Sequence, residues 1–67
     1  MRHLYDLQTP APLRVVLTDG TAADAILHHF DGMYSYCYLV SDESKVFHLS
    51  MGTPLKKVKG RWEIAED

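Results

Sequence analysis

The sequence predicts a mainly β protein: a small, strongly bent five-stranded antiparallel barrel with a short N-terminal helix or cap. Three observations lead there. Residues Leu13 to Leu39 are extended runs broken by Asp19-Gly20 and Asp31-Gly32, dipeptides that supply the positive φ of tight hairpin turns. Met33 to Val40 alternates strictly, with Tyr34, Tyr36, Tyr38 and Val40 on one face and Met33, Ser35, Cys37 and Leu39 on the other. That period of two is the signature of a strand with one buried face. Finally, 67 residues with 46% hydrophobic content make a single domain near the lower limit for unaided folding, so the strands must curl around one shared core.

In chain order, Leu4 and Leu7 stand three apart within Met1 to Gln8 and suit a short helix or cap. Thr9-Pro10-Ala11-Pro12 ends it as a linker, because proline denies helix continuation and extends its predecessor. Leu13 to Thr18 is the first strand, with Leu13, Val15 and Leu17 on its apolar face. Thr21 to Phe30 is a bent second strand. Its small Ala22, Ala23 and Ala25 let the sheet curve, and a bulge switches Ile26, Leu27 and Phe30 between faces.

Met33 to Val40 is the third strand, Ser41-Asp42-Glu43-Ser44 a polar turn, and Lys45 to Met51 the fourth strand. Gly52-Thr53-Pro54 breaks it, Leu55 to Val58 is the fifth, and Gly60 permits a turn before a last extended piece, Arg61 to Ile64. The whole chain, 1–67, is one domain: cap and linker over 1–12, barrel over 13–58, C-terminal extension over 59–67. Trp62 folds back as a lid on the barrel.

Seven Lys and Arg against nine Asp and Glu give a formal charge of −2. Bulk phosphate binding favours a basic protein, so whole-chain charge argues against non-specific nucleic-acid binding and leaves a local site open. Lys56, Lys57, Lys59 and Arg61 form the one basic cluster and read as a solvated strand face and turn. Cys37 is the only cysteine. It excludes an intrachain disulfide, fits a reducing compartment, and reads as a buried small hydrophobe. No secretory pattern opens the chain and no apolar run reaches membrane-spanning length, so the expected location is cytoplasmic, without membrane contact.

Candidate chemistry is sparse. His28 and His29 are adjacent, and on a regular strand adjacent side chains point to opposite faces. No metal ligand and no cofactor are therefore assigned. Asp19 and Asp31 are explained as turn residues, Cys37 as an inert thiol, and no catalytic residue or enzymatic activity is expected. The tyrosine row would strain so small a core, since three phenol hydroxyls would each need a partner. It belongs at an interface, with subunit contact ahead of ligand or RNA stacking. A chain this small also exposes much apolar surface, which self-association would bury.

The stretch VVLTDGTAADAILHHFDGMYSYCYL resembles the first motif of the Sm-like (LSm and Hfq-type) protein family. Leu17, Asp19, Gly20, Leu27, Phe30 and Asp31 match in register, and the similarity covers roughly residues 4 to 58. The resemblance implies an SH3-like barrel whose copies close into a ring through edge strands, strand four of one subunit pairing with strand five of the next. It also implies single-stranded RNA in pockets lining that ring. Carried onto this chain, it points to Asp31 and Met33 in the loop after strand two, Tyr34 at the stacking position, and Ser35 where the family has Asn. Met51-Gly52 stands where the family has Arg-Gly, and His48 adds a polar contact. Ser offers one rotatable hydroxyl where Asn offers donors and an acceptor, and Met lacks the guanidinium fork. The expectation is a ring-forming protein that binds single-stranded RNA with weakened or altered specificity. The rival is a non-enzymatic protein-interaction module of phage or mobile-element type, with a host protein as partner, that uses the barrel without RNA.

Overall fold

The computed structural model describes residues 2–65. Its strands are β1 (Arg2–His3), β2 (Ala11–Val16), β3 (Ala22–Asp31), β4 (Tyr34–Leu39), β5 (Asp42–Ser50), β6 (Pro54–Val58) and β7 (Arg61–Ile64), with a 3-10 turn at Leu4–Asp6. They form one sheet in the order β1-β6-β7-β2-β3-β4-β5. A radius of gyration of 11.0 Å matches the roughly 11 Å expected of a folded chain of this length.

The β2-β3-β4-β5 portion is the meander that the Asp-Gly reversals predict. Between β3 and β4, Asp31 pairs with Tyr34, so the corner is Gly32-Met33. Gly32 takes φ +65°, the positive value that the first corner position of a type II′ hairpin requires. Met33 is thereby lifted to the tip of the hairpin and is 71% exposed. The β2–β3 connection is longer: Leu17 N–H donates to Thr21 O and Gly20 N–H to Leu17 O. Asp19 fixes this corner, its carboxylate accepting from both the backbone N–H (2.9 Å) and the hydroxyl (2.6 Å) of Thr21.

Three expectations are corrected. The sheet has seven strands and is not a closed five-stranded barrel; β1 and β5 stand at its two edges. It is not wholly antiparallel, because β7 lies between β6 and β2 and runs parallel to β2, with Arg14 opposite Glu63. The N-terminal helix is absent: two residues of β1 pair with Pro54 and Leu55, and a single 3-10 turn follows. The N-terminal segment is held extended by backbone bonds to the chain after β5, from Leu4 N–H to Thr53 O (2.8 Å) and from Tyr5 N–H to Met51 O (3.0 Å), and Trp62 and Ile64 of β7 pack against the core that β2 helps to build.

The inner face of the bent sheet collects Ala11, Leu13 and Val15 of β2, Ala25 and Leu27 of β3, Cys37 and Leu39 of β4, Leu55 of β6, and Leu4. Phe30, Phe47, Leu49, Trp62 and Ile64 pack around them. The alternation in β4 is as the sequence predicts, with Ser35, Cys37 and Leu39 buried and Tyr36 and Tyr38 half-buried. Leu27 is fully buried at the centre. Leu27→Ala should lower the unfolding free energy by about 2–5 kcal/mol, read as a drop in urea midpoint at unchanged m-value. A loss below ~1 kcal/mol would contradict the full burial of Leu27.

Asp42 repeats the arrangement of Asp19, accepting from the backbone N–H (3.1 Å) and hydroxyl (2.6 Å) of Ser44. These hydroxyl and backbone donors hold both carboxyls below their ordinary value of 3.8. A carboxyl lowered in the folded state stabilises the fold above its unfolded value, and that contribution disappears as pH falls through the lowered one. Stability measured by urea denaturation should therefore decline on acidification below about pH 4, and the Asp19→Asn, Asp42→Asn double variant should decline less steeply.

Candidate functional site

Strand register decides which side chains share the outer face. Opposed residues project to the same side of a sheet, so the pairings define rows that cross β5, β4 and β3. One row is Ser50, Tyr34, Asp31; the next is His48, Tyr36, His29; the third is Val46, Tyr38, Ile26, continuing to Pro12 on β2. Aromatic and imidazole rings therefore run through the middle of this face. Beyond them lie Asp24 and Arg14, then β7.

The middle of the face is shaped by a bulge. Leu27 opposes Cys37 and His29 opposes Tyr36, leaving His28 as an extra residue on β3. The extra residue restores inward facing to Phe30, as the apolar pattern of β3 requires. It also places both imidazoles outside, where His28 Nδ1 and His29 Nδ1 approach to 2.8 Å. The expectation that neighbouring histidines face opposite ways fails here, because it assumed a regular strand. His29 stacks on Tyr36 with centroids 5.1 Å apart and 13° between planes. His28 meets Tyr36 at 6.2 Å and Tyr38 at 6.3 Å, and His48 meets the edge of Tyr36 at 5.9 Å. His48 Nδ1 lies 3.0 Å from Ser35 O. A carbonyl only accepts, so Nδ1 carries the proton and the neutral ring presents Nε2 as an acceptor.

Ser35 itself faces inward. It is fully buried, its hydroxyl donating to Leu49 O (3.0 Å) and accepting from Leu49 N–H (3.2 Å). With that proton committed, Cys37 S–H is the donor in its 3.3 Å contact with Ser35 Oγ. The hydroxyl thus ties β4 to β5 and is not presented to an outside ligand. Burial, opposed more weakly by the Ser35 contact, pushes the Cys37 thiol above its ordinary value. The thiol stays protonated and unreactive.

Asp31, Met33 and Tyr34 are exposed around the β3–β4 corner, Tyr34 at 59%. The segment after β5 joins them: Met51 N–H donates to Met33 O (2.9 Å), and Gly52 follows, exposed. Tyr5, stacked on His3 at 5.3 Å, reaches the same corner through its N–H to Met51 O (3.0 Å). So Asp31, Met33, Tyr34, Met51 and Gly52 gather at one end of the outer face. His48 lies in the adjacent row, and Ser35 projects to the opposite side.

At the other end, Pro12, Arg14, Ile26, Val40, Arg61 and Trp62 line a groove of about 320 Å³. Asp24 Oδ1 holds Arg14 Nη1 at 3.4 Å and Arg61 Nη1 at 3.2 Å. Both pairs are exposed, where such bridges contribute ~1 kcal/mol or less. Trp62 packs on the core, as a lid would, with Lys57 Nζ 5.0 Å above its ring. Sequence reasoning missed Arg14, Tyr5 and the shared side of the two histidines. The signal for the last was present: Leu27 and Phe30 cannot both point inward without one extra residue between them.

Ser35→Ala should cost about 1–3 kcal/mol, the range for leaving buried partners unsatisfied, when compared with the unaltered protein in urea. Iodoacetamide should leave Cys37 unmodified in the folded protein and label it only in denaturant; rapid labelling without denaturant would contradict the buried thiol. The chain matches no family model, and no curated protein and no solved structure matches it significantly.

Proposed function

We propose that the protein is a non-enzymatic module that binds single-stranded RNA on the outer face of β3, β4 and β5. One observation carries this reading: Tyr34, Tyr36 and Tyr38, with His28, His29 and His48, share one face that leads to the Arg14 and Arg61 guanidiniums. Unpaired bases stack on aromatic platforms, worth ~1–3 kcal/mol per base, while cations hold the backbone. Tyrosines two residues apart along a strand stand about 6.6–6.8 Å apart, room for successive splayed bases. Asp31 and Met33 border the Tyr34 end, and His48 Nε2 offers an acceptor to a base N–H or a ribose hydroxyl.

The Sm-like relationship is proposed on narrower grounds. In its favour stands the meander from β2 to β5 with both glycine corners where the motif puts them. Against a ring of the family's kind stands β6, which has β7 along one edge and β1 beside Pro54 and Leu55 on the other. Self-association is instead assigned to β5, which among the described residues pairs with β4 alone and so presents a free edge to a second copy.

A second reading is favoured by one feature. Tyr5, Met33 and Tyr34, 51%, 71% and 59% exposed, form an apolar end joined by the Met51 backbone, and exposed apolar patches serve protein docking.

Fluorescence anisotropy with oligo-U and oligo-A at two salt concentrations separates the two. RNA binding is expected, with a log–log salt slope of about −1 to −2 if two guanidiniums each neutralise a phosphate. Tyr34→Ala and Tyr36→Ala should each weaken it about 5- to 150-fold, the equivalent of ~1–3 kcal/mol. Absence of binding to either oligonucleotide at low salt rejects the RNA reading and leaves protein docking. Light scattering on the same sample reports self-association.

A further inference from the structure

We infer that His28 and His29 together form a two-imidazole site for a divalent cation of tetragonal preference, of the Cu(II) type. The inference is independent of RNA binding and rests on the bulge. Because His28 is the extra residue on β3, both rings stand on the outer face, with Nδ1 atoms 2.8 Å apart. Metal–imidazole bonds of about 2.0–2.1 Å separated by a right angle place their nitrogens about 2.8–3.0 Å apart, whereas a tetrahedral angle needs about 3.3 Å. The hydrogen bond between the rings already holds the two donors at the right-angle bite, which a tetragonal ion can use with less opening than a tetrahedral one.

The two rings are also restrained. Tyr36 stacks on His29 and meets His28 edge-on, and the Tyr38 ring lies tilted 6.3 Å from His28. Ligands locked by packing lose less freedom on binding than free side chains would. In the neutral pair, one Nδ1–H donates to the other Nδ1; on metal binding that hydrogen bond breaks, its proton moves to Nε2 of its own ring as the other tautomer, and both Nδ1 lone pairs turn to the cation. Both side chains are exposed, so water can fill the remaining equatorial positions. Asp31, two residues beyond His29 and on the same face, adds negative charge nearby. Among the described residues no third His, Cys, Asp or Glu completes a three-ligand group, so the site is bidentate.

The test is titration of the chain with Cu(II) in a non-coordinating buffer, on a His3→Ala background so that the half-buried His3 imidazole does not compete. Calorimetry should give one equivalent, and electron paramagnetic resonance a tetragonal spectrum with hyperfine splitting from two nitrogens. His28→Asn and His29→Asn should each weaken binding at least ~10-fold, the lower bound of what changes even beyond the direct ligands cost a metal site. His48→Ala should leave it within about twofold, well under the tenfold that 1.4 kcal/mol represents. Circular dichroism of each variant confirms folding, and the resonance spectrum of the unsubstituted pair tests the site without any variant at position 28 or 29. Parental affinity in either Asn variant, loss of binding in His48→Ala, or a spectrum without two-nitrogen coupling overturns the proposal.

Discussion

A single surplus residue on β3 controls both faces of the sheet. Ten residues must pass from pairing with β2 to pairing with β4 while keeping Ala25 and Leu27 inside. A regular strand would then turn Phe30 outward and His29 inward. The bulge at His28 reverses the phase midway, so Phe30 joins the core and the imidazole beside it escapes burial. Extra right-handed twist accompanies such a bulge, and twist is what lets one sheet wrap around its own small core. The inner packing, the curvature and the rings on the exterior are consequences of one irregularity.

Polar groups inside this core are few and fully accounted for. Ser35 is the buried polar residue, and its hydroxyl both donates to and accepts from Leu49 while receiving the Cys37 thiol proton. No buried side-chain nitrogen or oxygen among the described residues lacks a partner. In a chain with so little apolar material, an orphaned group costing ~1–3 kcal/mol would consume a large part of a stability of only 5–15 kcal/mol.

Much of the meander was legible because its determinants are local. Gly32 specifies a hairpin corner by its own φ, and the alternation of Tyr34 to Leu39 assigns each side chain to a face without knowledge of any neighbour. The same alternation placed Ser35 inside, in conflict with the outward role that the family resemblance gave it; the periodicity was the better guide, because it reports directly on burial. The position of β7 was not legible. Arg61 to Ile64 reads as extended, yet nothing in those four residues says that they lie beside β2, and parallel, since that contact joins chain elements far apart in sequence, Arg14 facing Glu63. Of the outer face, the tyrosines were read from spacing, whereas the arginine pair on Asp24 joins β2, β3 and β7 and emerges only from the assembled sheet.

The parallel seam between β2 and β7 bears on how the chain acquires its shape during synthesis. Strands β2 to β5 form hairpins between successive neighbours and can fold as they emerge from the ribosome, local pairings being quick. Throughout that interval β2 keeps one ladder of amides and carbonyls vacant, awaiting β7, which is made after β3 to β6. An unoccupied strand margin is adhesive toward other nascent chains, so the hazardous moment in the life of this protein is the pause before Trp62 and its neighbours close the gap.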